Sequence, residues 1–518
     1  MARRGHTLTR PAGFAQSLRD LPLFLLILGI ASASMLVPAV YGGVARDLEA
    51  ARAFFYTGLL GLVVFLLVAI AYSGRRPRHG ALGPVVSLSA TFVVLPVVLA
   101  MPFHEGAQTT TFLNAYLEMV SALTTTGATV FDDPGRLPNT LHLWRALVGW
   151  MGGLLMWIAA SAILAPLNLG GFEVTAQAEP GSKETLFHFV ERADPRARLL
   201  RSVGALLPIY LVLTVILWVL LYIGGDRSFV ALCHAMSVMA TSGISPVGGM
   251  TGSTSGIPGE MVMFLFMLFA LSRLTFSSDT VTATQGGLGT DPEFRIGLLI
   301  VFGVPLVLFL RHFIGAFEVS TEENLGQALQ ALWGSVFTVM SFLTTTGFAS
   351  EHWVQSQSWS GLATPGLILL GLSVIGGGVA TTAGGVKLLR VFALYLNGRR
   401  EMERLIHPNS VSGAGIVERR VQRDGAFIAW IFFMLFALTL TLITVTLAIL
   451  GVSFENALVM SIAGLSTTGP LIEMAADAPI RLGELSASAK IVFCAAMVLG
   501  RLETLAVIAL LTPNLWRN

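Results

Sequence analysis

Charge is what this sequence has least of. Asp, Glu, Lys and Arg make up 12% of its 518 residues, about half the share found in an ordinary soluble domain. Set beside 54% hydrophobic residues, that scarcity excludes a soluble protein. Charge of one sign is lacking as well. With 32 basic against 30 acidic side chains and a formal net charge of +2, there is no global basic field to draw nucleic acid. Cysteine is nearly absent: Cys233 and Cys494 cannot build a disulfide framework, and both read as small hydrophobes inside apolar runs. The motifs of enzymes are missing too. There is no His-Glu-x-x-His and no Gly-x-Ser-x-Gly, and His104, His142 and His312 fall near loops without clustering. The adjacent Cys233 and His234 point to different faces of a helix. An intramembrane enzyme needs a nucleophile with its base, paired acids or a metal site, so no catalytic residue, cofactor or enzymatic activity is expected of this chain.

Long apolar runs are abundant. A helix needs about 20 apolar residues to cross the hydrocarbon core, and ten runs qualify as spans: 22–41, 54–72, 85–102, 141–166, 203–224, 259–277, 296–314, 362–396, 426–450 and 487–511. The first follows Arg3, Arg4, Arg10 and Arg19, but it is too long for a signal-peptide core and lacks a small-x-small cleavage site, so it counts as a span. An even number puts both termini on one side. The basic residues choose which side, because cytoplasmic connections are rich in Lys and Arg. Arg75, Arg76 and Arg78, then Lys183, Arg192, Arg196 and Arg198, then Arg399, Arg400, Arg404, Arg419, Arg420 and Arg423 join the N-terminus inside. The alternate connections carry Glu105, Asp132, Asp133, Asp226, Glu318, Glu322, Glu323, Glu351, Glu473, Asp477 and Glu484, with few cations such as Arg136 and Arg481. This outward acidic set reads either as a vestibule that enriches cations or as solvated loops left by the topological bias. The arginine-rich stretch from Arg399 to Arg423 reads either as a docking surface for a regulatory protein or as a contact with anionic headgroups.

Four segments of the chain repeat one another: Ser121-Ala-Leu-Thr-Thr-Thr-Gly-Ala128, Val238-Met-Ala-Thr-Ser-Gly-Ile244, Ser341-Phe-Leu-Thr-Thr-Thr-Gly-Phe348 and Ala463-Gly-Leu-Ser-Thr-Thr-Gly-Pro470. Each lies between two apolar spans, so spans three to ten form four span, loop, span units. Ahead of each glycine stands a semi-apolar segment, Phe112 to Leu123, Phe229 to Met239, Leu332 to Leu343 and Phe454 to Leu465. All four are too short to cross and suit re-entrant helices, with Ser228 and Ser453 expected as N-caps. Helices that enter from outside and stop midway aim their C-terminal carbonyls at a common centre, which favours a cation there. The loops that follow expose successive carbonyls if a residue takes a positive φ, as Gly does without steric cost. Four such loops make a ring of oxygens able to replace the hydration shell of a monovalent cation. Non-helical backbone at membrane depth is tolerated only inside protein or along a watery cavity, so the loops imply a pore.

These residues resemble the Trk/Ktr/HKT superfamily of potassium transporters, most nearly its bacterial TrkH branch, along almost the whole chain. The likeness is carried by the Thr-Thr-Thr-Gly-Ala-Thr of the first loop, Leu143-Trp-Arg-Ala146, Asp291-Pro-Glu-Phe-Arg295, Thr344-Thr-Thr-Gly-Phe348, Gly384-Gly-Val-Lys387, Gly500-Arg-Leu-Glu503 and Leu511-Thr-Pro513. The resemblance implies an all-α polytopic membrane protein of four pseudo-symmetric helix, re-entrant loop, helix units around one pore, preceded by two extra N-terminal helices. The expected divisions are 1–80 for those helices, then pore units at 81–170, 171–285, 286–405 (with a broken gate helix) and 406–518. It also implies a homodimer in the bacterial inner membrane with both termini cytoplasmic, and a separate cytosolic, TrkA-like regulatory protein that binds the nucleotide. K⁺ would pass along the backbone carbonyls of Thr125, Thr126 and Gly127, of Thr241, Ser242 and Gly243, of Thr345, Thr346 and Gly347, and of Thr467, Thr468 and Gly469. Two departures stand out. Ser242 occupies a place where the family often has a second glycine, and Pro470 lies in a variable region. In plant relatives a serine for the first filter glycine accompanies sodium transport, so Gly127 implies potassium. A sodium-conducting pathway, or a cation-coupled symporter, uses the same scaffold and carbonyl ring and remains the alternative.

The eighth span carries its own signal. Gly376-Gly-Gly-Val-Ala-Thr-Thr-Ala-Gly-Gly385 interrupts an apolar helix, and glycines at about 1 kcal/mol each would break it in mid-membrane. A break of this kind lines a cavity, although small residues also serve close helix packing. A phosphate loop is not matched, since Lys387 is followed by Leu388 rather than Ser or Thr. By resemblance, Gly376, Gly377, Gly378, Thr381, Thr382, Gly384 and Gly385 form a gate beneath the filter. Arg501 lies roughly 22 Å into the last span at 1.5 Å per residue, and an ionisable group at that depth is a functional candidate. Family members carry an arginine here facing the gate, and Arg501 reads either as part of the barrier to cations or as a structural pairing, for instance with a carbonyl of the broken helix. Glu118 and Arg145 are expected to pair and brace the first loop. No run of intramembrane carboxylates suggests a proton relay, which favours gated, channel-like flow over a tightly coupled pump.

Overall fold

The computed structural model describes residues 21–72, 83–164, 195–272, 289, 291–316, 325–360, 364–406, 423–476 and 478–503. Among these residues every regular element is helical. Two helices, α1 (Leu23–Val44) and α2 (Leu48–Tyr72), precede a pattern that occurs four times. It runs α3 (Gly83–Ala107), α4 (Phe112–Leu123) and α5 (Asn139–Leu164), then α6 (Pro195–Ile223), α7 (Ser228–Ala240) and α8 (Gly256–Ala270). The third copy has α9 (Pro292–Ala316), α10 (Leu325–Leu343), α11 (Trp353–Ser360), α12 (Gly366–Ile375) and α13 (Leu388–Ile406), and the fourth α14 (Arg423–Ile449), α15 (Phe454–Leu465) and α16 (Ala487–Leu502).

The long helices are apolar on all sides, which marks a membrane span rather than a surface helix. On α2, Leu60 (62%), Leu67 (62%) and Ile70 (63%) are exposed, an apolar surface that only lipid or another protein tolerates. Prolines 96, 208 and 305 stand inside spanning helices, as membrane helices allow. Seven helices reach spanning length, fewer than the ten runs of the sequence, for local reasons. The eighth run is split between α12 and α13 by its glycines. α8 ends at Ala270 and α16 at Leu502, and beyond Ser272 and Glu503 the remainders of those runs lie outside the described residues. So do Arg75, Arg76, Arg78, Lys183, Arg192, Arg419, Arg420, Glu318, Glu322, Glu323, Asp477 and the Leu511 to Pro513 motif.

The helices α4, α7 and α15 are short, α10 is longer at 19 residues, and the C-terminal halves of all four are enclosed by the long ones. In α4 every residue from Leu117 to Leu123 is buried, and in α15 every residue from Val459 to Leu465. Their starts follow capping chemistry with one difference. The Thr111 and Ser453 hydroxyls accept hydrogen bonds from the Asn114 and Asn456 N–H groups, satisfying orphan donors of the first turn. Ser228 is instead the first helical residue, and the cap position falls to Arg227, which offers no side-chain bond. The third helix begins at Leu325 rather than Leu332.

Candidate functional site

All four of these helices end in one way. Thr126 N–H donates to Ser121 C=O (2.8 Å) and Thr125 N–H to Ala122 C=O (2.9 Å), the paired bonds of a Schellman terminus. The same pair recurs from Ser242 to Ser237 and Thr241 to Val238, from Thr346 to Ser341 and Thr345 to Phe342, and from Thr468 to Ala463 and Thr467 to Gly464. Such a terminus requires a left-handed residue, and here it is a threonine each time: φ is 55° at Thr125, 50° at Thr241, 57° at Thr345 and 54° at Thr467. A β-branched residue in that region is a genuine outlier, costing on the order of 1–3 kcal/mol. Finding it four times in register marks the loops as places where packing enforces strain. Gly127 (76°), Gly243 (66°) and Gly347 (86°) then take the positive φ expected of them. Gly469 does not: a residue before proline is biased toward extended backbone with negative φ, and Pro470 follows.

The loops meet in chain order to close a ring. A Cβ placed on Gly127 would lie 1.8 Å from the Ser242 carbonyl oxygen, one on Gly243 2.5 Å from that of Thr346, and one on Gly347 2.7 Å from the Pro470 ring. One on Gly469 would lie 2.1 Å from the Ala128 nitrogen. Gly469 N–H also donates to the Thr126 carbonyl (2.6 Å). At these four positions no side chain fits without moving a neighbouring loop, so the need for glycine is steric at all four and conformational at three.

Behind the ring, in three of the four copies, the residue nine places before the glycine fastens the chain just after it. Glu118 accepts from Thr129 Oγ1 (2.8 Å) and Val130 N–H (2.5 Å) and forms the expected ion pair with Arg145 at 2.8 Å, both buried. His234 Nε2 lies 2.9 Å from Ser245 Oγ, and Thr338 Oγ1 accepts from Ser350 N–H (3.1 Å). In the fourth copy this register holds Met460. Two further acids contribute, Glu260, which the sequence reading did not single out, and Asp226, which it read only as a charge of the outward connections. Glu260 accepts from Trp333 Nε1, Ser350 Oγ and Glu351 N–H, bracing the third loop. Asp226 takes the Ser253 and Ser255 hydroxyls and the Thr254 N–H and sits 3.8 Å from His234 Nδ1. Burial alone raises a carboxyl pKa, but His234, Ser253 and the Thr254 N–H outweigh it and hold Asp226 well below the usual carboxylate range.

Between α12 and α13 the glycine segment forms a loop directly under this ring. Positive φ at Gly376, Ala380, Gly385 and Lys387 lets it fold back on itself, with Val386 N–H donating to Val374 C=O and Leu388 N–H to Gly377 C=O. Every copy of the repeat but the first contributes to holding it. Gly378 N–H donates to Ala270 C=O (2.9 Å), Val379 N–H to the Glu293 carboxylate (3.0 Å) and Gly384 N–H to Thr345 Oγ1 (2.7 Å). A Cβ on Gly384 would lie 2.1 Å from Ser466 O. Arg501 Nη1 donates to Thr382 C=O (2.6 Å), while its Nε and Nη2 find no hydrogen-bond partner among the described residues. Gly376, Gly377, Gly378, Thr381, Thr382, Gly384, Gly385 and Arg501 are thereby brought together. Two small cavities flank the loop and share Ala380 and Thr381 in their walls, one reaching Trp157 and Thr241, the other Lys387, Arg501 and Glu503. The α5 end bordering the second is a π-turn, Ala160–Leu164, a feature frequent at functional sites. Nearby, Arg390 pairs with Glu503 (2.7 Å) and stacks on Phe432, and the Lys387 ammonium bonds Ala383 C=O. Of this charged shell the sequence signalled only motif neighbours, Asp291-Pro-Glu-Phe-Arg295, Gly384-Gly-Val-Lys387 and Gly500-Arg-Leu-Glu503, because partners so distant in the chain leave no spacing to read.

The family model for TrkH, described as a cation transport protein, matches residues 81–517. This chain belongs to that family. The TrkH members are transporters rather than enzymes, and the chain is accordingly a multi-pass membrane protein. It is 29% identical over 516 residues to "Trk system potassium uptake protein TrkH" of Vibrio parahaemolyticus, covering 95% of this chain and 98% of the relative. To the protein of the same name from Halomonas elongata it is 30% identical over 463 residues, 88% and 90% of the two. The crystal structure titled as the potassium transporter TrkH from Vibrio parahaemolyticus superposes with a TM-score of 0.78 at 26% identity, over 96% of this chain and 99% of that one.

Proposed function

We propose that this TrkH-family chain takes up potassium through a gated, channel-like pore in the bacterial inner membrane. The observation that carries the reading is the closure of four Thr-x-Gly loops into one ring at the buried ends of four helices. Helix C-termini bring partial negative charge to that point, and backbone carbonyls are the groups that replace a monovalent cation's hydration shell. The ion ligands are the carbonyls of Thr125 to Gly127, Thr241 to Gly243, Thr345 to Gly347 and Thr467 to Gly469, within pore units at 81–170, 171–285, 286–405 and 406–518. The segment from Gly376 to Gly385 is the gate, and Arg501, two of whose nitrogens have no hydrogen-bond partner among the described residues, adds a positive barrier to cations. Both termini face the cytoplasm, where the arginine-rich connection meets a nucleotide-binding regulatory protein, and the chain works as a homodimer.

The test is Rb⁺ flux into proteoliposomes of purified protein, with and without excess Na⁺ and with the regulatory protein added. A potassium filter gives flux that Na⁺ barely competes with. Gly127→Ser, Gly243→Ser, Gly347→Ser and Gly469→Ser, made singly, each lower the flux or its selectivity. Robust flux indifferent to all four changes contradicts the filter, and equal competition by Na⁺ points to the sodium alternative.

A further inference from the structure

In three of the four loops the residue after the glycine is packed inside the protein. Ala128, Ile244 and Phe348 are all buried; Ile244 packs against Gly149, and Phe348 lies edge-on to His234. Pro470 differs. It is only half-buried, and its ring meets both the adjacent third loop at Gly347 and the second loop at Gly243, where an added Cβ would lie 3.0 Å from it. The loops follow one another around the ring, so the second lies diagonally opposite the fourth. A side chain that touches both the third and the second reaches across the centre.

The backbone explains the turn. Gly469 lacks the positive φ that lets the other loops rise, and Pro470, at φ −58° and ψ −12°, starts the short helix Leu471–Met474. The locked proline φ fixes that direction. The fourth copy also lacks a polar fastening, since Met460 stands where Glu118, His234 and Thr338 hold their loops. The fourth loop is tied instead to the first through Gly469 N–H and Thr126 C=O.

We infer that Pro470 is a specificity-determining residue of the ion path: its ring supplies the wall of the glycine-level constriction that the other loops build from carbonyls, and so sets the upper size of cation admitted. This rests on the proposed filter. The experiment is K⁺, Rb⁺ and Cs⁺ flux through Pro470→Ala, Pro470→Gly and Pro470→Val in proteoliposomes, with Gly243→Ser alongside and thermal melting of each variant in detergent. The result expected is a several-fold rise in the Cs⁺ to K⁺ ratio for the alanine and glycine variants, and a ratio near wild type for valine, which restores bulk. Unchanged ratios in folded Pro470 variants, or a uniform loss of flux with the ratio intact, overturn the size-limiting role. If Gly243→Ser also leaves ratios and flux untouched, the filter reading itself has failed; if only Gly243→Ser alters them, the failure belongs to Pro470 alone.

Discussion

Four threonines held in a left-handed conformation against their own branching make up the chemistry at the scale of single residues. A strained residue persists only where its surroundings over-determine it, and here buried loops on each side do so. Replacing Thr125 by glycine, which adopts φ above zero freely, should therefore raise thermal stability by about 1 kcal/mol while loosening ion discrimination. Melting temperature and the K⁺ to Na⁺ flux ratio, measured together, check this; a stabilised variant of unaltered selectivity would separate the strain from function. Thr345 carries a second role through its hydroxyl, which accepts from Gly384 N–H and ties the ring to the glycine segment of the broken helix. Thr345→Val removes that acceptor at nearly constant shape, so flux without the regulatory protein should rise, whereas Thr345→Ser should behave as wild type. The glycines were legible in the sequence because their freedom at positive φ is intrinsic. The left-handed threonines were not, since intrinsic preference argues against them and only tertiary packing puts them there. Gly469 misled for a third reason, the proline after it.

Elements fix these residues in place through polar fastenings buried beside the ring. Removing one partner of a buried ion pair leaves an uncompensated charge and costs about 3–5 kcal/mol, so Glu118→Gln should sharply lower the melting temperature and destabilise the first loop. Glu118→Gln combined with Arg145→Met should recover much of the loss. Asp226 adds a pH dependence whose sign follows from its lowered pKa. Its contribution is complete above the ordinary carboxylate value of about 3.9 and fades as pH falls below that towards the native value. Melting curves between neutral and strongly acid pH should thus fall more steeply for the wild type than for Asp226→Asn; parallel curves would show that the carboxylate does not staple this loop. The short helices were legible from length and punctuation, with α4 and α15 bounded as their sequence suggests. The start of α10 was not, because an apolar pattern continues upstream of Leu332 and does not mark where chain becomes helix.

Taken whole, the molecule holds its broken helix against the ring through contacts from three of its four repeats. Arg501→Ala, or deletion of residues within 376–385, should raise unregulated flux if that segment is the barrier, read in proteoliposomes lacking the regulatory protein. Folded variants with unchanged flux would remove the gate from this place. The fourfold architecture was legible because one motif recurs between apolar spans. The network of Glu260, Glu293, Arg390 and Glu503 was not, because each of its contacts joins segments far apart in the chain. The most direct measurement of the central claim is the anomalous scattering of Rb⁺ in crystals of this protein. A dehydrated ion held by the four loops predicts a peak enclosed by the carbonyls of residues 125–127, 241–243, 345–347 and 467–469, weakened in Gly127→Ser. Rb⁺ density elsewhere along the pore, with none within the ring, would contradict it.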